Sequence, residues 1–575
     1  MRVYVKILWV LLLLFLSSGL IAQVESRQTI GDTDIEVYTL TGNVSFQGHG
    51  YTTTQDLNRR EPLGALTTAN FDYSFLGFQS GMDLRYTTDD NRFRQSMNRF
   101  SFYGSWNWAR LSAGDVNPNY SQYSLRGTMV RGGELSLTPG DFIFEVAAGR
   151  TNRLTSISNG NIPRSFEYER WIYAATVGYG RQNRSHFRLT ALYGKDDTDS
   201  LPDTTGLNLP ATQSLAPPAE NLAVTPKFQV VLLDDAFRFG AETTFSAYTR
   251  DTESPVISSA DSELPGFVAS IFSPRNSTRL SFAGMAETEF DVDPFNLMLS
   301  YERIQPGFES MGLRQIRDDQ QVITIRPSVH FLDRRINLDA TYTMIEDNLL
   351  DSRISTQKND NLSLNSSFQI TEAIRLAAGY SRYVSNTTSD DELSGGHRQL
   401  SQVIQLAPSV SWISGATSYN VTLAGVYQTL ESRFPMADGF MMNESSTITS
   451  TINYNMALPT GLTVNGSANI VLGEAPDSEF TTYGLNAGVG YSFMDQKMNV
   501  GLNTGFMINE FERLNGFEDS LSRNMQLNGN ATATYSITST TSLQLNLRLL
   551  NNNIMEGHGD GFSEMEGRLQ FRQRF

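Results

Sequence analysis

Apolar and polar side chains alternate, residue by residue, in segment after segment of this chain from about residue 34 onward. In residues 543–549, four leucines alternate with Gln544, Asn546 and Arg548. In residues 483–493, tyrosine, leucine, alanine, valine and phenylalanine alternate with glycine, asparagine and serine. A period of two places successive side chains on opposite faces of a β-strand. The pattern predicts an all-β chain of about 26 strands, within a range of about 24 to 28.

The connections between these segments alternate in length almost without exception. Residues 76–77 and 332–335 are short turns, whereas 195–219, 431–441 and 475–479 are among the connections predicted to be long loops. Short turns at one rim and long loops at the other are typical of transmembrane β-barrels, in which the short turns face the periplasm. A soluble β-repeat protein, the alternative, has no physical reason to keep this alternation. The sequence therefore predicts a single large transmembrane antiparallel β-barrel over residues 34–575.

The last strand of the chain carries a further indication. Leu569, Phe571 and Phe575 fall on its apolar face, and Arg568 and Arg572 fall on the other. This Phe-ending strand resembles the assembly signal of bacterial outer-membrane β-barrel proteins. The resemblance implies a place in the cell outer membrane of a Gram-negative bacterium, contact with outer-membrane lipids and insertion by the barrel-assembly machinery.

The N-terminus has the three parts of a secretory signal peptide. Arg2 and Lys6 precede an apolar run over residues 7–16, and the small residue Ala22 precedes the polar Gln23. A membrane anchor helix is the alternative, but the apolar run is short for a membrane span. We expect cleavage after residue 22. Residues 23–33 would then be a short periplasmic segment, too short to fold, and no plug domain is expected before the barrel.

Composition narrows the chemistry that this chain can perform. There is no cysteine, which excludes disulfides, thiolate metal sites and a cysteine nucleophile. The formal net charge of −17 makes nucleic acid an improbable partner. Hydrophobic residues make up 39% and aromatic residues 11%, a mixture that suits strands of which only alternate residues meet lipid.

The expected strand number leads to a functional hypothesis. A barrel of about 26 tilted strands has a backbone diameter of roughly 50–55 Å, too wide for wall side chains to fill. We therefore predict a large pore or a transport or secretion conduit without a plug domain. The alternative is a structural or interaction barrel that presents long acidic extracellular loops to a surface partner, or that holds a periplasmic one.

Two long connections, 195–219 and 251–275, have the length to fold into such a lumen. The second contains an apolar run with Leu264, Phe267, Ile271 and Phe272. Exposed apolar loop residues indicate a segment packed into the lumen or a docking surface for a partner. The third interpretation is that this loop packs on neighbouring loops. The sequence leaves the three open.

The most distinctive charged stretch lies between residues 114 and 150. It combines paired glycines, which suit a bulge or a sharp strand bend, with charged residues expected to face the lumen. These candidate constriction residues are Asp115, Arg126, Arg131, Glu134 and Arg150. They are predicted to form either a charged filter for solutes or a ladder of cross-strand ion pairs that holds neighbouring strands in register.

Sequence motifs for catalysis are missing. The five histidines are scattered, and the sequence has neither a zinc-spaced histidine pair nor a glycine-rich phosphate loop. Acidic pairs such as Asp196-Asp197 match no defined calcium loop and are interpreted as solvated loop surface. The chain is therefore predicted not to be an enzyme and to need no cofactor and no metal.

Overall fold

The computed structural model describes residues 24–30, 33–55, 62–88, 98–152, 168–181, 183–200, 217–257, 272–389, 396–436, 439–514, 521–557 and 559–575. The signal peptide predicted for residues 1–22 lies outside these ranges. The strands are β1 Val24–Ile30, β2 Thr33–Thr53, β3 Leu63–Phe75, β4 Phe78–Thr87, β5 Arg99–Trp106, β6 Ala109–Val116, β7 Leu125–Arg126, β8 Val130–Leu137, β9 Phe142–Asn152, β10 Glu169–Gly180, β11 His186–Asp197, β12 Glu220–Leu232, β13 Phe237–Thr249, β14 Thr278–Val292, β15 Phe295–Ile304, β16 Gly312–Leu313, β17 Gln320–Phe331, β18 Ile336–Asp347, β19 Ser355–Gln369, β20 Ile374–Ser389, β21 His397–Ser414, β22 Thr417–Met436, β23 Gly439–Ala457, β24 Leu462–Ala475, β25 Ser478–Phe493, β26 Met498–Arg513, β27 Leu521–Ser536, β28 Thr541–Glu556 and β29 Phe562–Arg574.

All strands except β1, β7 and β16 form one closed antiparallel barrel of 26 strands, which confirms the predicted fold class and strand number. Each barrel strand pairs with the next along the chain, and β29 pairs with β2 to complete the ring. β7 and β16 pair with each other in a small parallel sheet. A single turn of 3-10 helix, Thr198–Ser200, follows β11, and no helix among the described residues is long and apolar enough to cross a membrane.

Strand alternation gives the barrel an apolar outer face. On β25, Tyr483 and Leu485 are 45% and 60% exposed, although both side chains are hydrophobic. Gly484 and Asn486, which alternate with these two residues along the strand, lie on the opposite face. Apolar side chains remain exposed in this way where lipid is the solvent, so the outer face forms the membrane-spanning belt of an outer-membrane barrel.

The turns at one rim are as short as predicted. Several are tight hairpins built on left-handed residues, such as Leu76-Gly77, where φ is 45° and 87°. A four-residue turn occurs at residues 233–236, 332–335 and 494–497. In each of these turns, three consecutive residues have positive φ and the fourth N–H donates to the first carbonyl at 3.1–3.2 Å.

The opposite rim is uneven, and two predictions of long loops there are wrong. In place of loop 431–441, β22 and β23 continue for 20 and 19 residues and leave only residues 437–438 between them. In place of loop 475–479, β24 ends at Ala475 and β25 begins at Ser478. Cross-strand pairing continues beyond the apolar belt, which alternation alone does not reveal because the side chains there are mixed. By contrast, β5, β6 and β8 have 8 residues each, so the wall is low on that side.

The N-terminal segment also differs from the prediction that residues 23–33 are too short to fold. Residues Val24–Ile30 form β1, which pairs antiparallel with the first part of β2. The first part of β2 precedes the residues that pair with β29. One edge of β2 is therefore available there, and β1 pairs along it. Its periplasmic location stays a prediction.

The barrel closes at the C-terminal residue of the predicted assembly signal. Gly42 N–H donates to the Phe575 carbonyl at 2.8 Å, and Phe575 N–H donates to the Gly42 carbonyl at 3.1 Å. The Phe575 ring stacks on Phe71 with centroids 5.3 Å apart. Phe571 pairs with Phe46 on β2, and Leu569 is 51% exposed on the outer face. The recognition of these residues by the assembly machinery stays a prediction.

We expect Phe575→Ala to weaken the closed barrel, because it removes a stacked aromatic pair worth about 0.5–1.5 kcal/mol beyond area burial. The measurement is the temperature at which folded, heat-modifiable protein unfolds in detergent gels. Tyr483→Ala, which removes an outer-face aromatic away from the seam, is the matched control. An equal shift for both variants would contradict a special role of Phe575 at the seam.

Candidate functional site: two loops folded into the barrel lumen

Two connections at the uneven rim fold back inside the barrel. Loop A is residues 117–129, between β6 and β8, and contains β7. Loop B is residues 305–319, between β15 and β17, and contains β16. The two loops meet in the lumen, where Leu125 and Arg126 pair in parallel with Gly312 and Leu313. Ser310 Oγ also donates to the Ser124 carbonyl at 2.8 Å.

Apolar packing holds both loops against the inner wall. Tyr120 and Leu125 of loop A and Met311 of loop B form one buried cluster with wall residues of β9–β12, among them Ile172 and Leu192. These wall residues alternate with exposed outer-face residues such as Trp171 and Tyr173, so the cluster lies on the inner face. A second cluster is formed by Tyr123, Phe308, Ala283 and Ile304.

Loop A is tied to the wall by a buried glutamate on β13. The Glu242 carboxylate accepts hydrogen bonds from Ser121 Oγ at 2.8 Å and from the Gln122 backbone N–H at 2.6 Å. Lys227 Nζ lies 3.0 Å from its other oxygen. Glu242 is only 4% exposed, and these partners offset the cost of burying its charge.

A second glutamate, on β15, holds the next residues of loop A. Tyr123 Oη donates to Glu302 Oε1 at 2.5 Å. Burial raises the pKa of Tyr123, and the hydrogen bond to Glu302 adds to the shift. Burial likewise raises the pKa of Tyr120, which lies near Glu134 and Glu145. Both phenols therefore stay neutral over the physiological pH range.

Loop B is anchored through an asparagine of β12. The Met311 N–H donates to Asn221 Oδ1 at 3.1 Å, and Asn221 Nδ2 donates to Ser246 Oγ at 2.8 Å. Ser246 Oγ in turn donates to the Glu309 carbonyl at 2.7 Å. At the end of the loop, the buried Asp319 pairs with Arg353 at 2.8 Å. Buried loop backbone needs such partners because it has no strand neighbour of its own.

A row of glycines marks the place where the wall turns into loop A. Gly114, Gly132 and Gly149 are direct cross-strand neighbours on β6, β8 and β9. Gly114 has a φ of 97°, and a Cβ on Gly132 would overlap the carbonyl oxygen of Ala148. The glycines are thus required here by a left-handed backbone and by close approach of neighbouring strands, and the bend predicted from them stays a prediction.

The charged residues singled out in the sequence lie near this site but do not form one ring. Arg131 pairs with Asp115 at 2.7 Å, and Arg150 pairs with Glu169 at 2.9 Å. Asp115, Arg131 and Arg150 border one cavity of about 280 Å³ at the rim. Glu134 is on the inner face beside Tyr120, and Arg126 is on loop A.

Strand alternation places Asp115 and Arg131 on the face opposite to Val116 and Val130, whose side chains join the inner cluster. The same register places Arg150 beside Arg131, and the cavity that the three residues border is also lined by Arg314 of loop B, so the lumen-facing role of these residues stays a prediction. Asp115 and Arg131 form one cross-strand ion pair, and both the ladder and the filter role of the whole set stay predictions.

The apolar loop run is only partly described. Phe272 is 1% exposed. Leu264, Phe267 and Ile271 lie outside the described residues, so the choice between plug, docking surface and loop packing stays open for them. In loop 195–219, Ala219 joins the inner cluster, and its N–H donates to Asp196 Oδ2 at 3.1 Å.

The anchor residues of loops A and B were missed in the sequence. Glu242 and Glu302 lie on inward positions of ordinary-looking strands, and their partners are 121 and 179 residues away in the chain. One usable signal was present: Tyr120, Tyr123 and Phe308 are large apolar residues in connections, where exposed side chains are usually polar.

The inner wall beneath loop A carries paired charges of both signs. Arg238 lies 3.1 Å from Glu289, and Lys227 is 3.0 Å from Glu242. A cavity of about 460 Å³ near the short-turn rim is bordered by Arg188, Lys227 and Arg238, together with His186.

Comparisons with known proteins assign no family. No protein-family model and no curated protein matches the chain. Among solved structures, it is similar to OccAB3 of Acinetobacter baumannii, at 11% identity over 70% of this chain and 99% of that one, with a TM-score of 0.30. It is also similar to OpdK of Pseudomonas aeruginosa, solved with vanillate, at 10% identity over 62% and 94%, with a TM-score of 0.27. FpvA of Pseudomonas aeruginosa, solved with heterologous pyoverdines, matches at 10% identity over 93% and 72%, with a TM-score of 0.35.

We expect Glu242→Ala to loosen loop A, because hydrogen bonds to a charged group contribute about 1.5–3 kcal/mol each. The measurement is the rate of trypsin cleavage after Arg126 in folded protein, read by mass spectrometry. Loss of one such bond raises the fraction of molecules in which loop A has detached from the wall by roughly tenfold or more. Glu287→Ala, another inward glutamate of the wall, is the control. Equal cleavage rates in both variants would contradict the anchoring role of Glu242.

Proposed function

We propose that this protein is a transport conduit of the outer membrane whose lumen is narrowed from one side by loops A and B. The observation that carries the proposal is the closed barrel of 26 strands. Its estimated diameter of roughly 50–55 Å far exceeds what wall side chains fill. Loops A and B pack against the inner faces of β6 and β8–β15, and loop B also pairs with the end of β18 through Arg317 and Asp347 at 3.6 Å.

Loops A and B have the structure of a fixed constriction. Both pack through apolar side chains, and both hydrogen-bond to wall residues on several strands. A loop fixed in this way narrows a pore without closing a wide barrel. Transport is thus proposed as selective passage beside the loops.

A role without catalysis is part of the same proposal. Among the described residues, no group of three or more histidines and carboxylates is placed to hold a metal ion. His330 pairs with Asp293 at 2.7 Å at the short-turn rim, and the other described histidines lie on separate strands. A pore needs no reacting group of its own.

The second candidate function is an interaction barrel that presents surface elements to a partner. The hairpin of β22 and β23 favours it, because strands of 20 and 19 residues span about 60 Å and extend beyond their shorter neighbours. Phe440 and Met442 near its tip are 54% and 60% exposed. A sealed lumen together with a stoichiometric co-purifying partner would favour this function over transport.

The test of transport is single-channel conductance of refolded protein in a planar bilayer. We expect stable conductance steps from the unmodified chain. Replacement of residues 119–127 by a glycine-serine linker of equal length should enlarge the steps, because it removes the loop A side of the constriction. Silence from correctly folded protein, with and without loop A, would contradict the transport function.

A further inference from the structure

One sector of the inner wall differs in chemistry from the sector that holds the loops. Inward positions can be followed round the barrel, because each cross-strand pair places two residues on the same face. Starting from Ala147 in the cluster with loop A, the register leads through every strand to Thr482 and Asn509 on β25 and β26. The neutral sector is defined here as the inward positions of β21–β27.

Acidic and basic side chains are almost confined to the outward positions of these seven strands. The outward ones are Arg398, Glu431, Arg433, Glu444, Glu474, Glu479, Glu510, Glu512 and Arg523. The inward exceptions are Arg513, the last residue of β26, and His397, the first residue of β21. Inside the neutral sector the side chains are mostly Asn, Gln, Ser, Thr and Gly. The wall next to loops A and B, by contrast, carries Glu242, Lys227 and other paired charges.

Asparagines and glycines face each other across neighbouring strands of the neutral sector. Asn469 is the register partner of Gly484, and Asn465 and Asn503 flank Gly488 from either side. A Cβ on Gly488 would overlap the side-chain oxygens of both asparagines. The glycines therefore leave room for the amides to lie flat along the wall.

The polar groups of this layer are oriented by neighbouring side chains. Asn509 Nδ2 donates to Asn524 Oδ1 at 2.8 Å, and Thr482 Oγ1 donates to Asn509 Oδ1 at the same distance. Asn486 Nδ2 donates to Ser467 Oγ at 3.2 Å. Each asparagine amide offers two N–H donors and a carbonyl with two lone pairs, so one such bond leaves capacity for a ligand.

Two phenylalanines stand above this layer, at the uneven rim. Phe480 and Phe511 are direct cross-strand partners and share the parity of the inward amides. They are 36% and 40% exposed, and Gly473 lies against the Phe480 ring. An exposed aromatic pair on the polar side of the barrel strands departs from strict alternation, as does Phe434 on β22, which is 36% exposed.

We propose that the neutral sector is a binding path for uncharged, hydroxyl-rich solutes, that is, oligosaccharides, with Phe480 and Phe511 as the first contact. This inference rests on the proposed transport function and names its substrate class. Sugar hydroxyls both donate and accept hydrogen bonds, which matches amides and hydroxyls. A sugar ring also has an apolar C–H face that packs on an aromatic ring.

The absence of charge favours sugars over other solutes that contact aromatic rings. Nucleotides also stack on aromatics but carry phosphates, which need cations along the wall. A wall of amides supplies directional hydrogen bonds but no ionic attraction. Its ligands therefore bind weakly and dissociate quickly. Weak, repeated binding sites are what conduction along a path requires.

The test is block of KCl current by maltohexaose in planar bilayers. For the unmodified protein we expect concentration-dependent block by maltohexaose and much weaker block by a galacturonate hexamer of the same length but with one carboxylate on each ring. Phe480→Ala/Phe511→Ala should raise the half-blocking maltohexaose concentration severalfold, whereas Phe480→Tyr/Phe511→Tyr should retain block. Phe506→Ala, on the outward face of β26, is the control and should leave block unchanged.

The results of this experiment distinguish a failure of the sugar path from a failure of the proposed transport function. Equal block by the neutral and the charged hexamer, or unchanged block in the alanine double variant, would overturn the sugar path while leaving the pore intact. Loss of all KCl conductance in the unmodified protein would instead contradict the transport function. Comparable KCl conductance in all variants shows that each has folded and inserted.

Discussion

In a bilayer, every backbone N–H and C=O group must find its partner within the protein, and a sheet satisfies this condition only by closing on itself. Here the closing contact is the ladder between β2 and β29, which ends at the exchanged hydrogen bonds of Gly42 and Phe575. Once the ring contains 26 strands, its width is set by strand spacing and tilt. The wide lumen, and therefore the need for loops inside it, follows from that closure.

The interior is asymmetric for a related physical reason. Loop backbone that enters the lumen loses water and needs fixed acceptors and donors, which Glu242, Glu302 and Asn221 supply from the wall. A buried carboxylate in turn needs a cation, and Lys227 lies beside Glu242. Paired charges of this kind surround the loops, and inward arginines and glutamates also occur on β28 and β29. On β21–β27, by contrast, the inward positions carry mostly uncharged Asn, Ser, Thr and Gly residues.

The sequence predicted the strands better than the site because the two depend on contacts of different range. A membrane strand is recognisable from its own residues, as in residues 483–493, since lipid on one side and water on the other act on every second side chain. Loop A depends instead on partners far away in the chain, such as Glu302, 179 residues from Tyr123.

By itself, the sequence determined the all-β class, the approximate strand number and the apolar outer belt, because these follow from local periodicity. Only the tertiary structure decided which loops turn inward, that Asp115 and Arg131 form a rim ion pair, and that the inner wall has a charged and a neutral sector. Those features arise from cross-strand register and from contacts between distant strands. The alternation of a single strand contains no information about either.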